Sequence, residues 1–293
     1  MIVIAAIIFV RKKPADRFWA WVFPKKVYLH PSHFVDIKLF VIGRVFALVG
    51  LFQLVTFSSL IAALIISNLG VAGFGLALHP IVATFLFVLA TDFAVYWVHR
   101  IHHEHPFFWP FHSVHHSAEV MTPVTVYRKH PVYDIFSNIL KSICIGTTQG
   151  LLVAAFTGDM SLTTIFGANA FYFLFNMLGS NLRHTHIWLS YGRVLEHVFI
   201  SPAQHQIHHS IERRHYNKNY GEVFAFWDWM FGTLYVPQEE EIIRFGLGDM
   251  AGQRIEQPHP SLKDALLVPF KDAFGVISRN SRTASEPKAD IKE

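Results

Sequence analysis

Three short histidine boxes carry the reactive chemistry of this sequence. HRIHH holds His99 and His103 four apart. HSVHH holds His112, His115 and His116, and much further along HQIHH repeats that spacing with His205, His208 and His209. Helical positions i, i+3 and i+4 share a face. The spacing therefore predicts that the three imidazoles of each HxxHH box point one way, and that His99 and His103 do the same at a helix end. Neutral imidazole ligates iron, zinc, copper or nickel. Two triplets and a pair exceed what one four-coordinate zinc can use, so the count calls for two metals. A proton relay would need histidines but not the same spacing twice. His30, His33, His79, His197 and His259 stand alone and read as capping or surface residues.

The elements that position these boxes are read from hydropathy and charge. The 293-residue chain is 52% hydrophobic and 16% charged, with a mean hydropathy of +0.32, whereas soluble domains carry about a quarter charged residues. That composition points to an all-α membrane protein. Four stretches are apolar enough to cross a bilayer, which takes about 20 residues. They run from Leu39 to Ser67, Pro80 to Val98, Ile135 to Phe156 and Leu162 to Leu182. The connectors NLGVAGFGLALH and TGDMS hold no Lys or Arg, while residues 11 to 38 hold seven and residues 100 to 133 hold three. The positive-inside rule then places the amino-terminal segment, the central loop and the carboxy-terminal third in the cytoplasm. Four transmembrane helices in two hairpins follow, with a cytoplasmic histidine-rich helical cap. Boxes distant in sequence emerge at one face and can hold a dimetal site together.

Other features receive plainer readings. The single cysteine, Cys144, excludes an internal disulfide and any Cys-based zinc or iron–sulfur site. The modest basic excess, +4, reads as topology rather than nucleic-acid affinity. MIVIAAIIFV lacks a positive n-region and is too short to span; an interfacial anchor and the remnant of a truncated helix both stay open. Arg44 and Lys141 lie near the cytoplasmic ends of spans, where snorkelling accounts for them. Gly146 and Gly150 form a GxxxG, read as close helix packing only. GVAGFG has the wrong spacing for a dinucleotide fingerprint. Asp92 lies inside the second span on the stripe Asp92, Tyr96, His99, His103; since metal-bound imidazole commonly donates its other N–H to a carboxylate, Asp92 is expected to orient His99. Phe107, Phe108, Trp109 and Phe111 read as an interfacial belt or, less well, as a substrate entrance. WDWMFGT (Trp227 to Thr233) is read as structural packing, after a turn at Asn219, Tyr220 and Gly221.

HRIHH, HSVHH and HQIHH, with DFAVYWVHR before the first, SPAQHQIHHS around the last and NYGEVFAFWDWMFGTLY after it, resemble the fatty acid hydroxylase superfamily, the sterol desaturase and membrane lipid hydroxylase group. The resemblance covers roughly residues 80 to 236. It implies a non-haem di-iron enzyme and adds His184, in NLRHTHIW, to the metal ligands His99, His103, His112, His115, His116, His205, His208 and His209. His186 is a weaker candidate, and His130 and His215 could each supply a further ligand but are equally readable as supporting or lid residues. Nine neutral nitrogens leave a positive centre with open positions. That suits a redox metal that binds dioxygen better than a closed structural zinc.

The implied reaction is O2-dependent hydroxylation or desaturation of a lipid C–H bond by two iron ions. The sequence separates neither the two outcomes nor a sterol from a fatty acyl chain. With no flavin, nicotinamide or cytochrome motif visible, electrons are expected from a separate carrier protein, ferredoxin- or cytochrome b5-like. Arg213, Arg214 and Lys218 are candidates to dock it, though a solvated loop or lipid-headgroup contact explains them as well. The expected organisation is a cytoplasmic or interfacial segment over residues 1–38, an integral-membrane hydroxylase or desaturase domain over 39–277 and a disordered tail over 278–293. Two other classes compete. A divalent-metal transporter would place ligands near the bilayer midplane, and a zinc-dependent membrane hydrolase would need fewer ligands and no oxygen.

Overall fold

The structure, a computed structural model, describes residues 2–51, 57–69, 79–156, 175 and 182–285. These residues form helices and loops with no strand, apart from isolated bridges such as Phe199 to Phe224 and Ser210 to Phe245. In chain order the helices are α1 (Ile2–Lys12), α2 (Phe18–Val22), α3 (Lys25–Tyr28), α4 (Pro31–Leu48), α5 (Ser58–Leu69), α6 (Pro80–Glu104) and α7 (Trp109–His116). After α8 (Pro131–Phe156) come α9 (Pro202–His208), α10 (Phe226–Met230) and α11 (Leu262–Ser285).

Several starts follow directly from the sequence. His30 precedes Pro31 and accepts the Ser32 N–H at Nδ1, 3.2 Å away; His79 precedes Pro80 and accepts that of Ile81 at 3.3 Å. In each case the side chain satisfies an orphan N–H, while proline supplies the preset φ of the first turn. Two of the isolated histidines are therefore helix caps. SPAQ at the start of α9 forms a capping box: the Ser201 hydroxyl accepts the Gln204 N–H at 3.2 Å and the Gln204 amide oxygen accepts the Ser201 N–H at 3.0 Å.

The expected spans fare differently. Pro80–Val98 lies in α6, whose residues Ile81–Glu104 are long and apolar enough to cross a membrane. Ile135–Phe156 lies in α8. Leu39–Ser67 is not one helix: α4 ends at Leu48, Gly50 takes φ +76°, and α5 begins at Ser58. A left-handed glycine is a helix stop. Leu162–Leu182 falls almost wholly outside the described residues, as do GVAGFG and residues 286–293. Helix α11 runs on to Ser285, past the start of the expected tail at Ser278.

Helix α8 packs on α5 through the GxxxG. A Cβ at Gly146 would meet the Ser58 carbonyl oxygen at 2.5 Å, and one at Gly150 the Ile65 Cβ at 2.9 Å. Only glycine permits that approach. Gly146→Leu is expected to force the helices apart, at a cost of about 1–3 kcal/mol. The melting temperature in detergent should fall, and an unchanged one would mean that α5 moves away freely.

Around the histidine segments, Val35 and Leu39 of α4 bury against Val114 of α7 and Ala265 of α11. Arg128 locks this junction from a fully buried position. It donates to Asp36 Oδ1 at 2.8 Å, the Val114 carbonyl at 2.7 Å and the Ser117 hydroxyl at 2.9 Å. Helix α7 is thereby fixed to α4 by charge as well as packing. At the amino terminus, Ala5 and Ile8 of α1 bury with Val22 and Ile187, while Val3 and Val10 remain exposed.

Candidate metal centre

All nine expected ligands converge, and they sort into two groups. His99, His103, His112, His116 and His208 form one; His115, His184, His205 and His209 form the other. Within each group one nitrogen per residue lies within 4.8 Å of every other. The boxes do not each face one way. His112 and His116 join the first group while His115 joins the second; His205 and His209 join the second while His208 joins the first. Successive helical residues project about 100° apart, so positions i and i+4 stay together while i+3 diverges from i+4. The two boxes use this in mirror fashion, each giving a pair to one group and a single imidazole to the other. Stacked rings of His116 and His209, centroids 4.2 Å apart, join the groups.

The residues fit metal ions. His103 and His112 bring their Nε2 atoms to 3.0 Å, His184 and His205 to 3.0 Å, His115 and His184 to 3.2 Å, and His205 and His209 to 3.3 Å. Nitrogens bound to one ion at about 2.1 Å and at right angles are about 3.0 Å apart. His99 Nδ1 lies 2.8 Å from the Tyr220 carbonyl and His208 Nδ1 2.8 Å from that of Lys218. A carbonyl only accepts, so each Nδ1 carries the proton and each Nε2 turns a lone pair inward. The His208 Nε2 is buried with no protein partner. Burial drives the pKa of His112, His115, His116, His205 and His209 well below the usual value, reinforced by neighbouring imidazoles, and burial brings His208 to about 4. The cap imidazoles are neutral at pH 7, the form that ligates.

Asp92 does not touch His99. It lies seven residues earlier, about 10 Å along the axis. Its carboxylate instead accepts the N–H groups of Val223 and Phe224, at 3.0 and 3.1 Å, and the Trp227 indole N–H at 3.0 Å. Those bonds anchor the loop that carries Tyr220, so any influence on His99 passes through the backbone. Asp228 holds the same loop from its other end, accepting the Tyr220 and Gly221 N–H groups at 2.8 Å each and the Thr233 hydroxyl at 2.6 Å. WDWMFGT is thus part of the support of the site, which its composition did not reveal. Gln206 is a second such residue, its amide donating to the carbonyls of Thr185 and Ile187 beside His184. Asp92→Asn would turn an amide NH2 towards backbone donors and leave at least one without an acceptor, costing about 1–3 kcal/mol. Metal affinity of the five-histidine group is expected to fall about tenfold. Titration with the four-histidine group as internal reference checks this, and a ratio of the two affinities unchanged from the parent chain would refute it.

The further candidates lie elsewhere. His130 faces the Leu266 carbonyl, His186 that of Trp21, and His215 sits with Glu212 and Glu241. Arg214 already bridges those two carboxylates. Of the other basic residues considered for docking, Lys218 donates to the Gly232 carbonyl and Arg213 lines a cavity. The aromatic run makes ring contacts on several sides: Phe107 and Phe108 meet Phe136 and Phe111 meets Phe270, while Trp109 lies against His103 and His116. Arg44 stacks on Phe40 and Tyr127.

Two cavities flank the cluster. One of about 430 Å³ touches His103, His116 and His208 and opens between Trp109, Tyr216 and Met250. The other, about 190 Å³, lies towards α6 and α8 and touches His99, His112, His115, His184 and His205.

The family model described as fatty acid hydroxylase matches residues 84–233, just over half of the chain and all nine histidines. The chain is 30% identical to alkylglycerol monooxygenase of Homo sapiens over 159 residues, 54% of this chain and 32% of that protein. It is 27% identical to ornithine lipid hydroxylase OlsE of Rhizobium tropici over 160 residues, 55% of this chain and 44% of that one. Delta(7)-sterol 5(6)-desaturase erg3B of Aspergillus fumigatus is 29% identical over 160 residues, 53% and 40% of the two chains. The matched region spans about a third to less than half of these relatives. No solved structure matches. Histidine geometry and family match cover the same residues, and the chain belongs to the fatty acid hydroxylase family.

Proposed function

We propose that the chain is a membrane-bound lipid hydroxylase or desaturase in which the nine histidines hold two iron ions at the cytoplasmic face. The observation that carries this reading is the sorting of nine neutral imidazoles into adjoining groups of five and four. Two irons held there would supply activation of dioxygen for oxidation of an unactivated C–H bond. The chain's own part is to hold imidazole lone pairs inward through the Tyr220 and Lys218 carbonyls, to keep the cap histidines neutral by burial, and to seat a lipid beside α6 and α8. The donor set favours this over the zinc hydrolase: five donors in one group exceed what a tetrahedral zinc uses. It also disfavours the transporter, because the boxes lie at or beyond the end of α6 rather than on broken helices within a span.

Membrane embedding is supported by large apolar side chains left exposed along three helices, among them Leu60 and Leu64 of α5, Ile81 and Phe85 of α6 and Leu151 of α8. We take residues 39–277 as the membrane enzyme unit, its four spans in two hairpins. A separate protein delivers electrons, and the cavity beside Trp109 is the side open to it. Metal analysis of the purified chain should give two irons, and membranes from expressing cells should contain an oxidised lipid in air but not under nitrogen. One ion per chain, or product formed without oxygen, would overturn the reading.

A further inference from the structure

The smaller cavity is charged in a way that the metal ligands do not explain. Its α8 wall is the stripe Tyr133, Ser137, Lys141, spaced four and four so as to share one helix face. Lys129 and Arg183 line it as well, against a single carboxylate, Glu222. Lys141 ends in this chamber. It lies ten residues into α8, about 15 Å along the axis, and it lines the chamber that five of the histidines also line.

None of Lys129, Lys141 and Arg183 forms an ion pair among the described residues. The Lys129 ammonium lies over the Tyr133 ring at 5.9 Å, and Arg183 donates to the Glu222 carbonyl while its buried Nε has no partner. Asp134 acts on Lys129 and Lys141, and Asp92 on Arg183, from outside the lining; within the described lining, three cations face one carboxylate. The nine imidazoles add no negative charge, and bound metal would add more positive. Among the described lining residues the one carboxylate is Glu222, so an anion entering the chamber meets three cationic side chains and one acid.

We propose that this cavity takes the anionic head of a lipid, a carboxylate or phosphate, against Lys129, Lys141 and Arg183, so that the oxidised carbon lies within a few bonds of that charge. This deepens the function proposed above and rests on it for the word oxidised. A chamber so small cannot hold the anion on one wall and present a distant carbon to the histidines on another. The acyl tail would extend away along α6 and α8. A neutral lipid entering head first forgoes the attraction of the three lining cations and binds less tightly.

The test is binding to the full chain in uncharged detergent, with and without iron. Hexadecanoate, hexadecyl phosphate, hexadecanol and inorganic phosphate serve as probes. At least one anionic amphiphile is expected to bind about tenfold tighter than hexadecanol, the order of one charge-assisted hydrogen bond. Inorganic phosphate should bind far more weakly than either. Lys141→Met should remove most of the preference and Lys141→Arg retain it, with metal content unchanged in both. Equal binding of hexadecanol overturns the proposal, and so does a preference that survives both Lys129→Met and Lys141→Met. Inorganic phosphate competing as well as the amphiphiles would replace the lipid by a free anion. Should the methionine variants fail to fold, the parent chain's choice between hexadecanol and the anionic probes decides. Because metal-free protein also reports binding, a chain that prefers anions but holds no iron would sink the oxygenase reading and leave this one standing.

Discussion

His205→Gln is expected to leave the chain with one metal ion instead of two and to lower turnover by about three orders of magnitude or more, since an oxidation shared by two ions does not survive on one. His205 belongs to the group of four, where each imidazole is a quarter of the donor set. Its Nε2 stands 3.0 Å from that of His184 and 3.3 Å from that of His209, so its loss opens the middle of that group. His103→Gln removes one donor of five and should cost less metal at equal concentration. Loss of a supporting hydrogen bond alone weakens metal binding about 10–100-fold, and loss of the ligand itself should exceed that. Glutamine keeps the size and polarity, so the fold should persist; retained helicity and chromatographic behaviour check this. The decisive measurement is metal per chain for the two variants side by side. Equal loss from both, or two ions kept by His205→Gln, would show that the groups are not separate sites.

The nine histidines were legible because their chemistry and spacing coincide. Eight stand in boxes, and family resemblance added His184. What the spacing does not disclose on a quick reading is the division of labour. Positions i, i+3 and i+4 share a broad face, yet His115 and His116 diverge by about 100°, enough to reach different ions. The supporting contacts were hidden for a different reason. His99 and His208 are oriented by backbone carbonyls, which every residue possesses and no sequence marks. Asp92 was recognisable as a carboxylate in an apolar helix, and its cost in a membrane pointed to a use. Its partners sit on a loop far along the chain, which a helical stripe cannot predict. That Lys141 lines the chamber beside the histidines was hidden for a related reason: distance from a span end says nothing of which neighbour the face meets. The break at Gly50 was legible in principle, as a glycine inside an apolar run, but hydropathy averages over it.

Acid should unfold the metal-free histidine cap over a narrow range starting below pH 6.5. Six cap imidazoles, His112, His115, His116, His205, His208 and His209, have pKa values lowered by burial. In the unfolded chain each returns to about 6.5. Between the two values the unfolded state holds a proton that the folded state refuses, so unfolding becomes easier as pH falls. The cost is about 1.4 kcal/mol per pH unit for each such group. For His208, lowered to about 4, it accumulates to roughly 3 kcal/mol by that pH. Several groups acting together would consume a stability of about 5–15 kcal/mol within one or two pH units. Above pH 6.5 the six add no slope, because both states hold them neutral. Bound metal should shift the collapse to lower pH, since protons must first displace the ion from each imidazole. Melting temperatures in detergent, followed by tryptophan fluorescence from pH 8 to 5 with and without iron, read the effect. A metal-free chain whose melting point stays flat from pH 7.5 to 5.5 would show that the cap histidines are solvated and not packed as neutral donors.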